Sequence, residues 1–340
     1  MKETIYINII LGLLYMLVSN PLNAQNISVN SIENKEYTSL KEALNNPNLV
    51  YRLNLSNQNL SFIPDSTWAK FQNLEYLSLK NDHLAELPSG IGDLKNLRVL
   101  DLSGNDFKEL PQSFSRLESL RVIYLNDEKE MDVNQSLSTI KDLPNLRILH
   151  LENDNLTSMP TTLLDFIRLE ALYLDSNRFN TLSDKDWAKF ENLEYLSLKN
   201  DHLKEIPSGI GSLKNLKVLD LSGNDFQLLP ESFSRLENLR EIYLNNENEM
   251  DINQSLSIIK DLPNLRILHL ENDNLTSVPQ NLLNLTQLEA LYLNNNSFNK
   301  IPIELNQLKN LNLIDFHDNK FRLDAKDLQF NDSFKVKVRF

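Results

Sequence analysis

Apolar residues return along this chain in a fixed frame. In the segment that starts at Leu97, they are Leu97, Leu100, Leu102, Phe107 and Leu110, with Asn105 between them and Pro111 after. The frame begins again at Val50, Leu74, Leu120, Leu146, Leu169, Leu193, Leu216, Leu239, Leu265, Leu288 and Leu311, which makes twelve units. Successive spacings are 24, 23, 23, 26, 23, 24, 23, 23, 26, 23 and 23 residues. Within each unit the L-x-L triplet has period two, so it predicts a short strand with alternate side chains buried. The proline that follows cannot donate to a strand ladder, so the strand must end before it. One unit cannot bury its own leucines. Stacked units share a continuous core, and stability comes from neighbours. Parallel strands about 4.8 Å apart would carry twelve units along an arc of roughly 50 Å.

The pattern L-x-x-L-x-L-x-x-N-x-L-x-x-L-P resembles the leucine-rich repeat family over about Leu49 to Leu323. The phrase LPSGIGDLKNL at Leu87 to Leu97, repeated as IPSGIGSLKNL from Ile206, is similar to the Ras-group class of that family. The resemblance implies an α/β solenoid: a horseshoe whose parallel concave sheet has about twelve strands. It also implies a non-enzymatic binding scaffold. The asparagine position of the frame is Asn105, Asn177, Asn224, Asn296 and Asn319. Acids or glutamine replace it at Asp82, Asp154, Asp201, Asp273, Gln58, Glu128 and Glu247. An ionised carboxylate accepts hydrogen bonds but donates none. A continuous asparagine ladder is therefore interrupted, and each acid is expected to accept from a turn amide.

A longer period overlies the short one. Residues 68–182 match residues 187–301 at an offset of 119, with 89 of 115 positions identical. The offset equals five units, so a five-unit block (68–186) has been duplicated as 187–305. A feature of the first block and its copy in the second are one observation, not two.

The ends need lids, because a terminal repeat would expose its core face. Residues 25–48 are read as an N-terminal cap. Ser39 and Glu42 have capping-box spacing, which predicts a short helix over Tyr37 to Asn45. Residues 324–340 are read as a C-terminal cap strand, because Phe334, Val336, Val338 and Phe340 alternate with Lys335, Lys337 and Arg339. Ahead of the caps, Ile5 to Val18 is a run of 14 mostly apolar residues, short of the 20 or so that a membrane span needs. Pro21 and Ala24 follow it. Residues 1–24 are thus expected to be a secretory signal peptide, with an uncleaved membrane anchor as the alternative.

Net charge and cysteine content narrow the function. With 34 Lys and Arg against 47 Asp and Glu, the formal charge is −13. That argues against neutralising nucleic-acid phosphates or docking on an anionic membrane. The absence of cysteine removes disulfides, thiolate metal sites and a thiol nucleophile. Eukaryotic surface proteins of this repeat family usually close their caps with disulfides, so a bacterial exported protein is expected, secreted or held in the cell envelope. No H-E-x-x-H, G-x-S-x-G or phosphate-binding loop occurs, and all five histidines fall inside repeat frames. No enzyme activity, cofactor or metal is expected. The acidic runs at Asp127 to Asp132 and Asn246 to Asp251 lack calcium-loop spacing and are read as solvated loops.

Binding is expected on the concave face, which the x residues of the strands line. Tyr124, His150 and Tyr173 fall on consecutive strands, bordered by Glu152 and Asp175. Their copies are Tyr243, His269 and Tyr292, bordered by Glu271. Tyrosine combines large contact area with a polar tip and is enriched at binding hot spots. Against this, tyrosine and histidine also suit an ordinary exposed strand. Of twenty concave positions in the block, four differ in the copy: Val122/Glu241, Asp127/Asn246, Asp175/Asn294 and Ser176/Asn295. That rate of change matches the rest of the block, so drift does not single out the face. The expected partner is a protein or peptide, held by a monomer. The alternatives are a carbohydrate stacked on the tyrosines, an intracellular signalling adaptor if residues 1–24 are not a signal, and an array with no ligand.

Overall fold

The computed structural model describes residues 35–60, 62–247, 249–321 and 337–339. The expected signal peptide and all of residues 25–34 lie outside the described residues, as do 322–336 and 340, which hold most of the expected C-terminal cap. Each L-x-L triplet forms a three-residue strand. These are β2 (Arg52–Asn54), β3 (Tyr76–Ser78), β4 (Val99–Asp101), β5 (Val122–Tyr124), β6 (Ile148–His150) and β7 (Ala171–Tyr173). They continue as β8 (Tyr195–Ser197), β9 (Val218–Asp220), β10 (Glu241–Tyr243), β11 (Ile267–His269), β12 (Ala290–Tyr292) and β13 (Leu313–Asp315). A two-residue strand, β1 (Glu36–Tyr37), joins the N-terminal edge, and β14 (Lys337–Arg339) joins the C-terminal edge. All fourteen pair in sequence order, and every pairing is parallel. The sheet is thus two strands longer than the repeat count, because segments from both ends extend it. The N-terminal helix α1 covers only Leu40–Ala43, shorter than the capping-box spacing suggests, since Tyr37 is taken into β1 opposite Leu53. Ser39 still caps it, accepting from the Glu42 amide at 3.4 Å.

The central residue of each strand points inward, and these leucines and isoleucines are fully buried from Leu53 to Ile314. On the opposite side the L-P step opens a 3-10 turn, as in Ser89–Asp93 and Gln112–Arg116, with proline immediately before it. In the Ser-Gly-Ile-Gly turn a Cβ on Gly90 would lie 2.3 Å from the Asp65 carbonyl oxygen. One on Gly92 would lie 2.3 Å from that of Ser113, so tight inter-unit packing accounts for both glycines. The two 26-residue units replace the 3-10 turn with α-helices, α2 (Val133–Ile140) and α3 (Ile252–Ile259). Asp132 and Asp251 cap them, accepting from Gln135 and Gln254 amides at 3.0 and 2.8 Å. The acidic runs are therefore not plain solvated loops: each supplies a helix cap and one buried acid, Glu128 or Glu247. Among the described residues no cluster of side chains is arranged to hold a metal ion, and no helix is long and apolar enough to cross a membrane.

Three polar columns close the backbone between units. Three residues after each repeat strand, the chain turns left-handed. Asn81, Gly104, Asp127, Asn153, Ser176 and Asn200 all have φ between 56° and 70°. That conformation favours glycine and asparagine, which explains part of the asparagine richness. The ladder residue follows it. Asn105 accepts from the Asp82 and Leu84 amides at 3.2 and 3.0 Å and donates to the Leu79 and Leu102 carbonyls at 2.9 and 2.6 Å. Asn177, Asn224 and Asn296 repeat this four-bond pattern. A further column lies where the chain returns to the strand. There Asn73, Asn96, Asn145, Asn192, Asn215, Asn238, Asn264 and Asn310 each donate to a carbonyl of the preceding unit at 2.6–2.9 Å.

Where an acid takes the ladder position, one bond of the four is kept. Asp82, Asp154, Asp201 and Asp273 accept a turn amide on one oxygen at 2.6–2.8 Å, and Glu128 and Glu247 do the same at 2.7 and 3.2 Å. The second oxygen of all six is buried with no hydrogen-bond partner. Burial pushes these carboxyls up, to about 8 for Asp154, Asp201 and Glu128, about 9 for Glu247 and about 7 for Asp273. A protonated acid regains a donor on the side where asparagine carries its amide hydrogens. A carboxyl raised in the folded state binds more protons there than in the unfolded chain. Stability therefore falls as pH rises from about 4 toward 8. Asp201→Asn should raise stability by roughly 1–3 kcal/mol at pH 8, by restoring the missing donor. The gain should shrink toward pH 4.5. Urea melts of the wild type and variant across this range check it, and a gain that does not depend on pH would refute the protonated-acid account.

Candidate functional site

The parallel register sets concave side chains in rows across the sheet. Tyr124 lies opposite His150, and His150 opposite Tyr173; Tyr243, His269 and Tyr292 repeat the arrangement. At the strand spacing of about 4.8 Å, planar side chains in one row can stack face to face. They do so here. The Tyr124–His150 and His150–Tyr173 ring centroids are each 4.1 Å apart, with interplanar angles of 21° and 8°. In the copy the distances are 3.9 and 4.3 Å, at 15° and 4°. The first ladder continues to Tyr195 at 4.6 Å, a ring in the first concave column that the L-x-L reading passes over. Beside the first ladder the same face is apolar and buried, at Val122, Ile148 and Ala171. In the copy the corresponding residues are Glu241, Ile267 and Ala290, all partly exposed.

The acids expected to border the rings divide into different roles. Glu152 Oε1 lies 2.8 Å from His150 Nδ1, and Glu271 lies 3.3 Å from His269 Nδ1. Asp175 does not touch either histidine; it accepts the Lys199 amide at 3.1 Å, and burial pushes its carboxyl up to about 7. Glu241 is the site residue that sequence reasoning missed. Its Oε1 lies 3.0 Å from His269 Nε2 and accepts the Tyr243 hydroxyl at 2.5 Å. The signal was in the sequence, as the one concave position where the copy exchanges an aliphatic residue for an acid. Burial opposes charge on His269, but hydrogen bonds to Glu241 and Glu271 hold its pKa above the ordinary histidine value. Burial likewise opposes charge on Glu241, and the bonds from His269 and Tyr243 bring its pKa below the ordinary glutamate value. Burial also raises all the ladder tyrosines, so each keeps its phenolic proton.

Over the concave columns of the repeats, acids outnumber Lys and Arg. Asp101, Glu152, Asp175, Asp220, Glu241, Glu271 and Asp315 face Arg52, Lys80 and Lys199. Arg52 lies over the Tyr76 ring at 4.2 Å and is held by Glu36 at 3.1 Å. All five histidines have acid partners.

Models of leucine-rich repeat regions match residues 52–133 and 183–253, and a further leucine-rich repeat model matches 144–203. The chain belongs to the leucine-rich repeat proteins. Among solved structures, a leucine-rich repeat protein of Leptospira interrogans is 27% identical. That alignment covers 90% of this chain and all of that one, with a TM-score of 0.55. An internalin of Listeria monocytogenes is 21% identical over 80% of this chain and 81% of its own, with a TM-score of 0.56. TLR13, solved in complex with ssRNA13, is 23% identical over 89% of this chain and 52% of its own, with a TM-score of 0.55. The last two likenesses concern the repeat fold. A search of curated proteins finds no match.

His269 supplies a test of the described electrostatics. Its charge is favoured by two carboxylates, so any stability it contributes is full below the unfolded histidine pKa and lost as pH rises through the folded one. Glu271→Gln removes one carboxylate and should move the titration midpoint of the His269 ring to lower pH, read by NMR. The change should be confined to the second ladder. The two ladders are about 24 Å apart, beyond the screening length of about 8 Å in physiological salt.

Proposed function

We propose that this protein is a non-enzymatic scaffold, exported on residues 1–24, that holds a protein or peptide partner along the concave sheet. The observation that carries the reading is the pair of aromatic ladders. Their rings are locked by stacking on a continuous sheet, so little side-chain freedom remains to be lost on binding. Half-buried tyrosines are among the side chains enriched at protein interfaces. The partner reading is favoured over a carbohydrate because the inner ring faces, which a sugar would stack on, are covered by the neighbouring rings. It is favoured over RNA because acids dominate the same surface.

Affinity capture from the native extracellular medium tests the proposal. The bait is the wild type and a Tyr124/Tyr173/Tyr243/Tyr292→Ala variant whose thermal melt remains cooperative. Losing several hot-spot rings should reduce capture of a specific partner by about tenfold or more. Equal capture by both baits would remove the ladders from the binding surface.

A further inference from the structure

The five-unit duplication lets one half of the molecule serve as a reference for the other. Tyr124, His150, Tyr173 and Glu152 recur as Tyr243, His269, Tyr292 and Glu271. Asp101 and Asp220 take the same place on the strand before the first tyrosine. Ring stacking and the carboxylate on Nδ1 are shared. The Val122/Glu241 exchange separates the two. In the second ladder the Glu241 carboxylate receives the Tyr243 hydroxyl and lies against His269 Nε2. In the first ladder Val122 carries only an isopropyl group. Among the described residues nothing hydrogen-bonds the Tyr124 hydroxyl or His150 Nε2. Yet the His150 ring is as fixed as its copy: it is 7% exposed, clamped between two rings and held by Glu152 through Nδ1.

We propose that the first ladder is a receptor for a carboxylate carried by the partner, seated beside Val122 between the Tyr124 hydroxyl and His150 Nε2. Glu241 is then an internal stand-in for that ligand group, and the second ladder is the same site closed by its own side chain. The inference rests on the concave-face reading above and adds the chemistry of the partner: an Asp or Glu side chain or a C-terminal carboxylate.

The negative surroundings do not forbid this. Asp220 flanks the second ladder as Asp101 flanks the first, and Glu241 is nonetheless held ionised there. Asp175 is an extra acid of the first ladder, replaced by Asn294 in the copy. Its raised carboxyl can take up a proton near neutral pH when another negative charge arrives. The two exchanges compensate, since the copy that gains Glu241 loses the acid at 294. A carboxylate is favoured over a neutral group because Glu152 already accepts from Nδ1. A second carboxylate at Nε2 then stabilises the doubly protonated ring, whose two N–H groups both donate.

Acetate is the probe. Histidine ring signals are followed by NMR at about pH 6, where histidine protonation is accessible. Sodium acetate is titrated against sodium chloride of equal ionic strength, and against acetamide as the neutral isostere. His150 should move saturably with acetate alone, and His269 should not. Val122→Glu should weaken the His150 response at least tenfold, by filling the site from within. Glu241→Val should give His269 the response it lacks. A His150 that ignores acetate, or answers acetamide equally, overturns the proposal. If Val122→Glu does not fold, the reciprocal variant decides: a folded Glu241→Val whose His269 stays silent also overturns it. Acetate binding at His150 combined with equal capture by the tyrosine variant would reject the ladders as the partner-binding surface while keeping the carboxylate site.

Discussion

The leucines of each unit are buried by the units on either side, and the rest of the structure follows from that dependence. A 23-residue turn has too little apolar surface to hold itself together. Once stacked, its strand must sit at hydrogen-bonding distance from the next, in parallel register. The same constraint brings every concave side chain to about 4.8 Å from its counterpart. That spacing lies close to the stacking distance of planar rings, which is why two tyrosines and a histidine in one row become a ladder. The candidate site is a consequence of the core period: a different stacking rise would leave the rings as separate exposed side chains.

Much of this was legible in the chain. The apolar frame is exact enough to place every strand of the repeat body, and lateral adjacency of Tyr124, His150 and Tyr173 follows from register alone. Other features were hidden for physical reasons. The N-terminal edge strand β1 is not leucine-rich, because an edge strand recruits by backbone pairing and needs only one partner. The helices α2 and α3 replace the L-P turn with eight residues whose apolar face is short. The left-handed column and the second asparagine column carry no hydrophobic signal. Glu241 was visible as a difference between copies but not as a contact, since its reach across to Tyr243 and His269 depends on side-chain rotamers.

The polar ladder carries a compromise of its own. An asparagine satisfies two amides and two carbonyls at once, whereas an acid in its place satisfies one side and leaves an oxygen buried and unpaired. Six such positions lie within a single continuous stack, in the interior of a molecule of net charge −13. Burial raises the pKa of all six, so each carries less negative charge than a free carboxylate would, and the effective interior charge is smaller than the formal count. On the concave surface Glu241 goes the other way, because the bonds from His269 and Tyr243 outweigh its burial, so the contrast is set by hydrogen-bond partners rather than by residue type.

Duplication followed by unequal change explains how one sheet can hold two versions of the same ladder. Immediately after duplication, both copies had the same groups facing the concave space. A rigid row of rings with an unpaired hydroxyl and imidazole nitrogen gains from any acceptor placed within reach, whether on a ligand or on a neighbouring strand position. An acid at 241 supplies that acceptor permanently and quenches the copy as a receptor. An aliphatic residue at 122 leaves the acceptor to be supplied from outside. The accompanying loss of an acid at 294 keeps the number of acidic residues bordering the rings constant. The difference between the ladders is thus a difference in where the completing carboxylate comes from, imposed on a common geometry that the leucine core already determines.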